Sequence, residues 1–238
     1  MPAHEKRVLS LDGLRGLGAL MVFLYHVDIM VKPFGAGGPS LFPGTASVMV
    51  FFILSGIVLS LVPFKHIGNG GYDWLGYYPR RVVRLCVPLF AAIALALPAG
   101  YVAWRLGSTS RSALAVAYDA GLPTAVHDIL MQFDVLFAAC LVVVVVAIAD
   151  GFTRRALSAA PMIFLGKVSY SLYLTHAIVI GALAALLPRL GIVDPFAIAA
   201  VSLPASMLVS VAFWRIIKVP SMNLSRSLAS SGPRDAVR

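Results

Sequence analysis

Arg15 and His26 stand eleven residues apart in the first apolar stretch, Ser10-Leu-Asp-Gly-Leu-Arg-Gly-Leu-Gly-Ala-Leu-Met-Val-Phe-Leu-Tyr-His26. On an α-helix that spacing is three turns plus roughly 20°, so both side chains share one face, about 16 Å apart along the axis. Ionisable groups are costly inside a bilayer and are functional candidates there by default. A histidine titrates near neutrality and can act as a general base. Asp12 precedes the arginine by one helical turn, and positions 12, 15, 19, 23 and 26 form one stripe. Glycines at 13, 16 and 18 leave the helix surface bare, which permits close helix packing. Physics alone leaves a second reading open: a buried histidine bonded to a neighbouring helix, with Arg15 snorkelling toward headgroups.

Two further clusters could do chemistry. In Tyr77-Tyr-Pro-Arg-Arg-Val-Val-Arg-Leu-Cys-Val-Pro88, Arg81 and Arg84 share a helix face with Arg80 beside them. Planar guanidinium forks suit phosphate, so either an anionic cofactor or anionic lipid fits here. In Phe164-Leu-Gly-Lys-Val-Ser-Tyr-Ser-Leu-Tyr-Leu-Thr-His176, Ser169, Tyr173 and His176 follow i, i+4, i+7 spacing, with Tyr170 adjoining. A polar stripe on a spanning helix should face protein or a cavity, for packing or for substrate contact. Cys86 and Cys140 are far apart and outside any C-x-x-C spacing, so they predict packing residues and no metal site.

The elements that must position these groups are membrane helices. Hydrophobic residues make up 60% of the 238 and charged residues only 12%, about half the usual share for a soluble domain. Mean hydropathy is +0.90. Six segments are long enough to span: about 14–31, 45–62, 82–104, 130–149, 169–187 and 195–217. The sequence therefore predicts an all-α polytopic membrane helix bundle of about six transmembrane helices. With both termini cytoplasmic, only Lys32, Arg105, Arg111 and Arg189 of the 19 Lys and Arg fall on the outer side, as the positive-inside rule requires. The net charge of +9 thus reads as topology, with no nucleic-acid partner. Lys6 and Arg7 precede an apolar run, but no small-residue cleavage site follows His26, so the first span is expected to stay. The glycine-rich segments 35–39 and 68–71 are turn chemistry without the strand-helix context of a phosphate loop. Loop 105–129 has room for a short interfacial helix. Residues 1–220 form one membrane domain without internal repeats, and 221–238 read as a mobile cytoplasmic tail.

In matching order, Leu11-Asp-Gly-Leu-Arg-Gly with Tyr25-His26, Phe51-Phe-Ile-Leu-Ser-Gly56, Arg80-Arg-Val-Val-Arg84 with Pro88, and Leu165 to His176 resemble the acyltransferase 3 family. Those are integral membrane O-acyltransferases that decorate cell-envelope carbohydrates and small acceptors. The resemblance covers residues 8–104 and about 136–225. It implies that His26 is the base and Arg15 its partner. It also implies that Arg80, Arg81, Arg84, Asp12, Ser55, Tyr170, Tyr173 and His176 hold acyl-CoA or the acceptor. The donor would be cytoplasmic acyl-CoA, most often acetyl-CoA, with no tightly bound cofactor, and the site a multi-pass protein of a bacterial inner membrane. Family members typically have about ten spans, so this chain reads as shortened between about 105 and 135. The family's glutamate before the last proline is replaced here, where Lys218-Val-Pro220 stands. A shortened, non-catalytic membrane protein or partial subunit is the alternative reading, and a homo-oligomer is one route to a complete cavity.

Overall fold

A computed structural model describes residues 3–35, 40–64, 74–105, 139–144, 146 and 151–230, and these are all-α. The helices are α1 (Ala3–Val31), α2 (Gly44–Phe64), α3 (Trp74–Arg105), α4 (Phe152–Leu157), α5 (Ala160–Leu186), α6 (Pro195–Phe213) and α7 (Val219–Ser230). Residues 139–144 are also helical. A 3-10 turn, Leu187–Leu190, follows α5, and a π-helical turn, Trp214–Lys218, joins α6 to α7.

Among the described residues, four stretches are long and apolar enough to cross a membrane: Leu9–Val31, Pro79–Ala99, Ala160–Leu190 and Pro195–Ser227. They correspond to the first, third, fifth and sixth spans expected from sequence, the third ending at Ala99 where 104 was expected. The second expected span falls in α2, whose described apolar part is Gly44–Leu54. The fourth, 130–149, lies mostly outside the described residues, as does loop 105–129. Along α3 the large apolar side chains point outward, Phe90 and Leu97 being 66% and 70% exposed. That surface fits hydrocarbon, where a helix already satisfies its own backbone.

The bundle is organised about α1 and α5, which run side by side in the same direction. Their shared core is Ala19, Phe23, Val27, Leu165, Val168, Leu172 and Ile180. Lipid tails are as apolar as these side chains, so close van der Waals packing must hold the pair together. Glycine makes it possible. A Cβ on Gly13 would collide with the Leu157 carbonyl, and one on Gly166 with the Asp12 carbonyl. One on Gly16 would lie 2.6 Å from the Gly166 nitrogen. Helix α2 packs on α1 through Val50 and Leu54, a cluster that residues Ala139 and Val143 complete. Cys140 instead points outward, which corrects its reading as a packing residue.

On the other side of α5, α6 contributes Ser202, Ser206 and Ser210, all fully buried. Small residues at this spacing let the backbones approach. Thr175 and Ser210 share a hydrogen bond of 3.0 Å across the seam. Asp194 caps α6, accepting from the Ala197 amide at 3.0 Å. The helix widens at its end because Pro220 follows. Proline cannot donate to the carbonyl four residues back, and its ring would crowd that carbonyl. In the π turn the Val219 amide bonds instead to the Trp214 carbonyl, five residues back. The expectation of a tail starting at residue 221 is corrected here, since α7 continues as helix to Ser230. It packs against α3, and the Ser225 hydroxyl donates to the Arg80 carbonyl at 2.8 Å.

Candidate active site

The polar groups singled out in the sequence gather along one side of α5. At its first turns is Arg15 of α1. The bare surface of Gly166 lets the guanidinium reach across, where Nη2 donates to the Gly166 carbonyl at 2.8 Å and Nε to the Ser169 hydroxyl at 3.2 Å. Asp12, one turn earlier, pairs with Nη2 at 3.2 Å. Ser169 in turn donates to the Gly166 carbonyl at 2.7 Å. Arg15 is therefore fixed in place by neighbours on two helices, which sets aside the snorkelling alternative.

Lys218 arrives at the same level from the π turn. Its Nζ donates to the Lys167 carbonyl at 3.1 Å, and the ammonium lies 5.3 Å from the centre of the Tyr170 ring. Arg15 and Lys218 thus hold carbonyls of successive residues on α5. Arg84 and Asp12 are also within electrostatic reach of the Lys218 ammonium. Tyr170 links the group to α3 by donating to the Leu85 carbonyl at 3.0 Å. Pro88 lacks the amide that would normally bond to the Arg84 carbonyl, so the ladder of α3 is already loosened in this turn.

Three turns along α5 is the second cluster. His26 and His176 meet edge to face, with ring centroids 4.7 Å apart. Each ring is oriented by its own helix. Nδ1 of His26 is 2.9 Å from the Val22 carbonyl and Nδ1 of His176 is 2.8 Å from the Leu172 carbonyl. A carbonyl can only accept, so Nδ1 carries a proton in both rings, and a neutral ring presents Nε2 as a lone pair. Nε2 of His176 is buried without a hydrogen-bond partner among the described residues. Such an orphan calls for an explanation, and one is a bound hydroxyl or water. Tyr25 packs on His26 with centroids 5.3 Å apart, and Tyr173 lies 6.1 Å from His176. Tyr173 is held by near-parallel stacking on Phe51 of α2, at 5.7 Å and 12°.

The structure therefore separates Arg15 from His26. Arg15 works at the Gly166 end, beside Lys218 and Arg84, and the histidine's neighbour is another histidine. Tyr170 belongs to the cation end and Tyr173 to the histidine end. Arg80 and Arg81 sit one turn before Arg84 on α3, where α7 grips the Arg80 carbonyl. Ser55 lies in α2, with its side chain outside the described set. Sequence reasoning placed Ser169 on the polar stripe and noted Lys218 as a replaced glutamate, but gave neither a role in the site. Ser169 carried a signal, its i, i+4, i+7 relation to Tyr173 and His176. For Lys218 the available sign was a lysine two residues before a proline, at the end of a long apolar helix.

A separate cleft of about 310 Å³ lies between α1, α6 and the residues Pro33, Phe34 and Phe42. Phe23, Val27, Phe34, Phe42 and Phe196 wall it, with Asp28 at its edge. That carboxylate accepts from the Ser40 hydroxyl at 2.7 Å and the Leu41 amide at 3.0 Å. Among the described residues no imidazole lines the cleft, so it is set apart from the His26–His176 pair.

Residues 8–127 match the model of a protein family described as an acyltransferase domain, acyltransferase 3. The match takes in α1, α2 and α3, and so includes Arg15, His26 and the arginines of α3. No curated protein and no solved structure matches the chain.

Proposed function

This chain belongs to the acyltransferase 3 family, and from that premise we propose that it moves an acyl group, acetyl in the simplest case, from cytoplasmic acyl-CoA to a hydroxyl of a cell-envelope carbohydrate. The observation that carries this reading is the division of labour along α5. Cations stand at one end, and paired imidazoles with Nε2 directed away from their own helices stand at the other. In the reaction, the Nε2 lone pair of His26 takes the proton of the acceptor hydroxyl. The oxygen then forms its bond to the thioester carbonyl carbon. Collapse of the tetrahedral intermediate breaks the carbon–sulfur bond, and the leaving thiolate recovers the proton from the imidazolium. General-base help of this kind contributes about 10²–10⁴-fold. Arg81 and Arg84 suit the donor's phosphates as planar forks.

The topology proposed with it has six spans, both ends in the cytoplasm, and lies in a bacterial inner membrane. The parallel course of α1 and α5 supports that arrangement, since the first and fifth spans of such a chain cross in the same direction. Replacing His26 with Ala tests the chemistry. In intact cells, acylation of envelope glycan should fall to the level of cells without the protein. Acylation at the wild-type rate would remove His26 from the mechanism.

A further inference from the structure

Helix α5 serves as a scale for what the site can bind. Lys218 contacts it at Lys167 and His26 contacts it at His176, nine residues apart and so about 14 Å along the axis. In coenzyme A the arm from the diphosphate to the sulfur contains thirteen bonds. A peptide backbone gains about 3.3–3.6 Å for every three bonds when extended, so this arm reaches about 15 Å. A phosphate held at the Lys218 level therefore places the thioester at the level of His26. Between the two ends, Tyr170 is fastened to α3 and Tyr173 to α2.

We propose that Lys218 is a donor-binding residue whose ammonium, together with Arg15 and Arg84, holds a phosphate group of acyl-CoA. The assignment rests on the acyltransferase reading. Three elements, α1, α3 and the π turn, each bring a cation to this one end of α5. Asp12 already pairs with Arg15, and a phosphate would add a further anion to this gathering of cations. Arg15 is geometrically fixed by Gly166 and Ser169, while Lys218 is a compact charge on a flexible stem, the form that suits a phosphate as a point charge. The π turn is what directs it inward, and such turns inside helices occur frequently at functional sites. A membrane lipid's phosphate has the same chemistry and supplies the competing source.

The test is equilibrium binding of coenzyme A, and of pantetheine, which has the arm but no phosphate, to the full chain in phosphatidylcholine nanodiscs. Lys218→Met is expected to weaken coenzyme A about tenfold, the loss of one charge-assisted contact, and pantetheine by less than about twofold. Lys218→Gln, which keeps a donor for the Lys167 carbonyl, should lose as much as Lys218→Met, and Lys218→Arg should stay within about threefold of wild type. Unchanged coenzyme A binding in the methionine variant, or an equal loss for pantetheine, would overturn the proposal. So would a loss that appears only in nanodiscs containing phosphatidylglycerol, which would give the phosphate to a lipid. Thioester consumption is followed in parallel, with envelope glycan supplied as the acceptor. A wild type that binds coenzyme A but leaves acetyl-CoA intact sinks the transferase reading and leaves the Lys218 assignment standing.

Discussion

Gly166→Ala is the perturbation that most directly probes how the site is held. The added methyl carbon would lie 2.8 Å from the Asp12 carbonyl carbon and 3.4 Å from its Cβ, besides colliding with the carbonyl oxygen. Carbon atoms pack comfortably at about 3.5–4.0 Å, so α1 and α5 must part by about 0.7 Å or more at this level. Inserting one methylene-sized group into a tight interior costs about 1–3 kcal/mol. At roughly 2–4 °C per kcal/mol for a chain of this size, the melting point should fall by about 2–12 °C. The same displacement stretches the Arg15 bond to Ser169, already 3.2 Å, beyond hydrogen-bonding distance. Misplacement of about 1 Å is enough to cost roughly 100-fold in rate. Thermal melting in one detergent and acetyl-CoA consumption with envelope glycan as acceptor are the two assays. Gly56→Ala is the control, since among the described residues nothing lies within 4 Å of its Cβ position and alanine favours helix by about 0.5–1 kcal/mol. The reasoning fails if Gly166→Ala melts with wild type, or if Gly56→Ala loses as much as it does.

Two other substitutions separate the site's supports. Ser169→Ala removes one of Arg15's acceptors but leaves Gly166 and Asp12, so stability should drop by about 1 kcal/mol, read as a melting shift of a few degrees, with Ser169→Thr close to wild type. Pro220→Ala restores an amide that can bond four residues back, so the π turn should relax to α-helix and rotate Lys218 away from Lys167. Coenzyme A binding should then weaken about as much as in Lys218→Met while the melting point holds or rises.

Arg15, His26 and the glycines between them were legible because helical periodicity places them on one face whatever that face meets. What the face meets was not. The bond from Arg15 to Gly166 joins residues 151 positions apart, and periodicity within a segment says nothing about which segment will be its neighbour. For the same reason His26 and His176 were each marked as candidates, yet their contact was invisible, as were the bonds from Arg15 to Ser169 and Gly166. Lys218 was legible only as a replacement for the glutamate usual before the last proline, with no role attached. Its inward position depends on the widened turn, which a single proline produces. The tail from residue 221 looked unstructured from its Ser and Arg content, but α3 supplies a surface on which it stays helical.

The parallel pairing of α1 with α5 also governs how the protein is made. Arg15 enters the membrane early, and its acceptors on α5 are synthesised 151 or more residues later. At about 5–20 residues per second, the guanidinium waits roughly 8 to 30 s before Gly166 exists. During that interval, Asp12 one turn away is the side chain at hand to offset its charge. The Asp12–Arg15 pair of the finished molecule is thus one that the first helix can form by itself, before the fifth arrives.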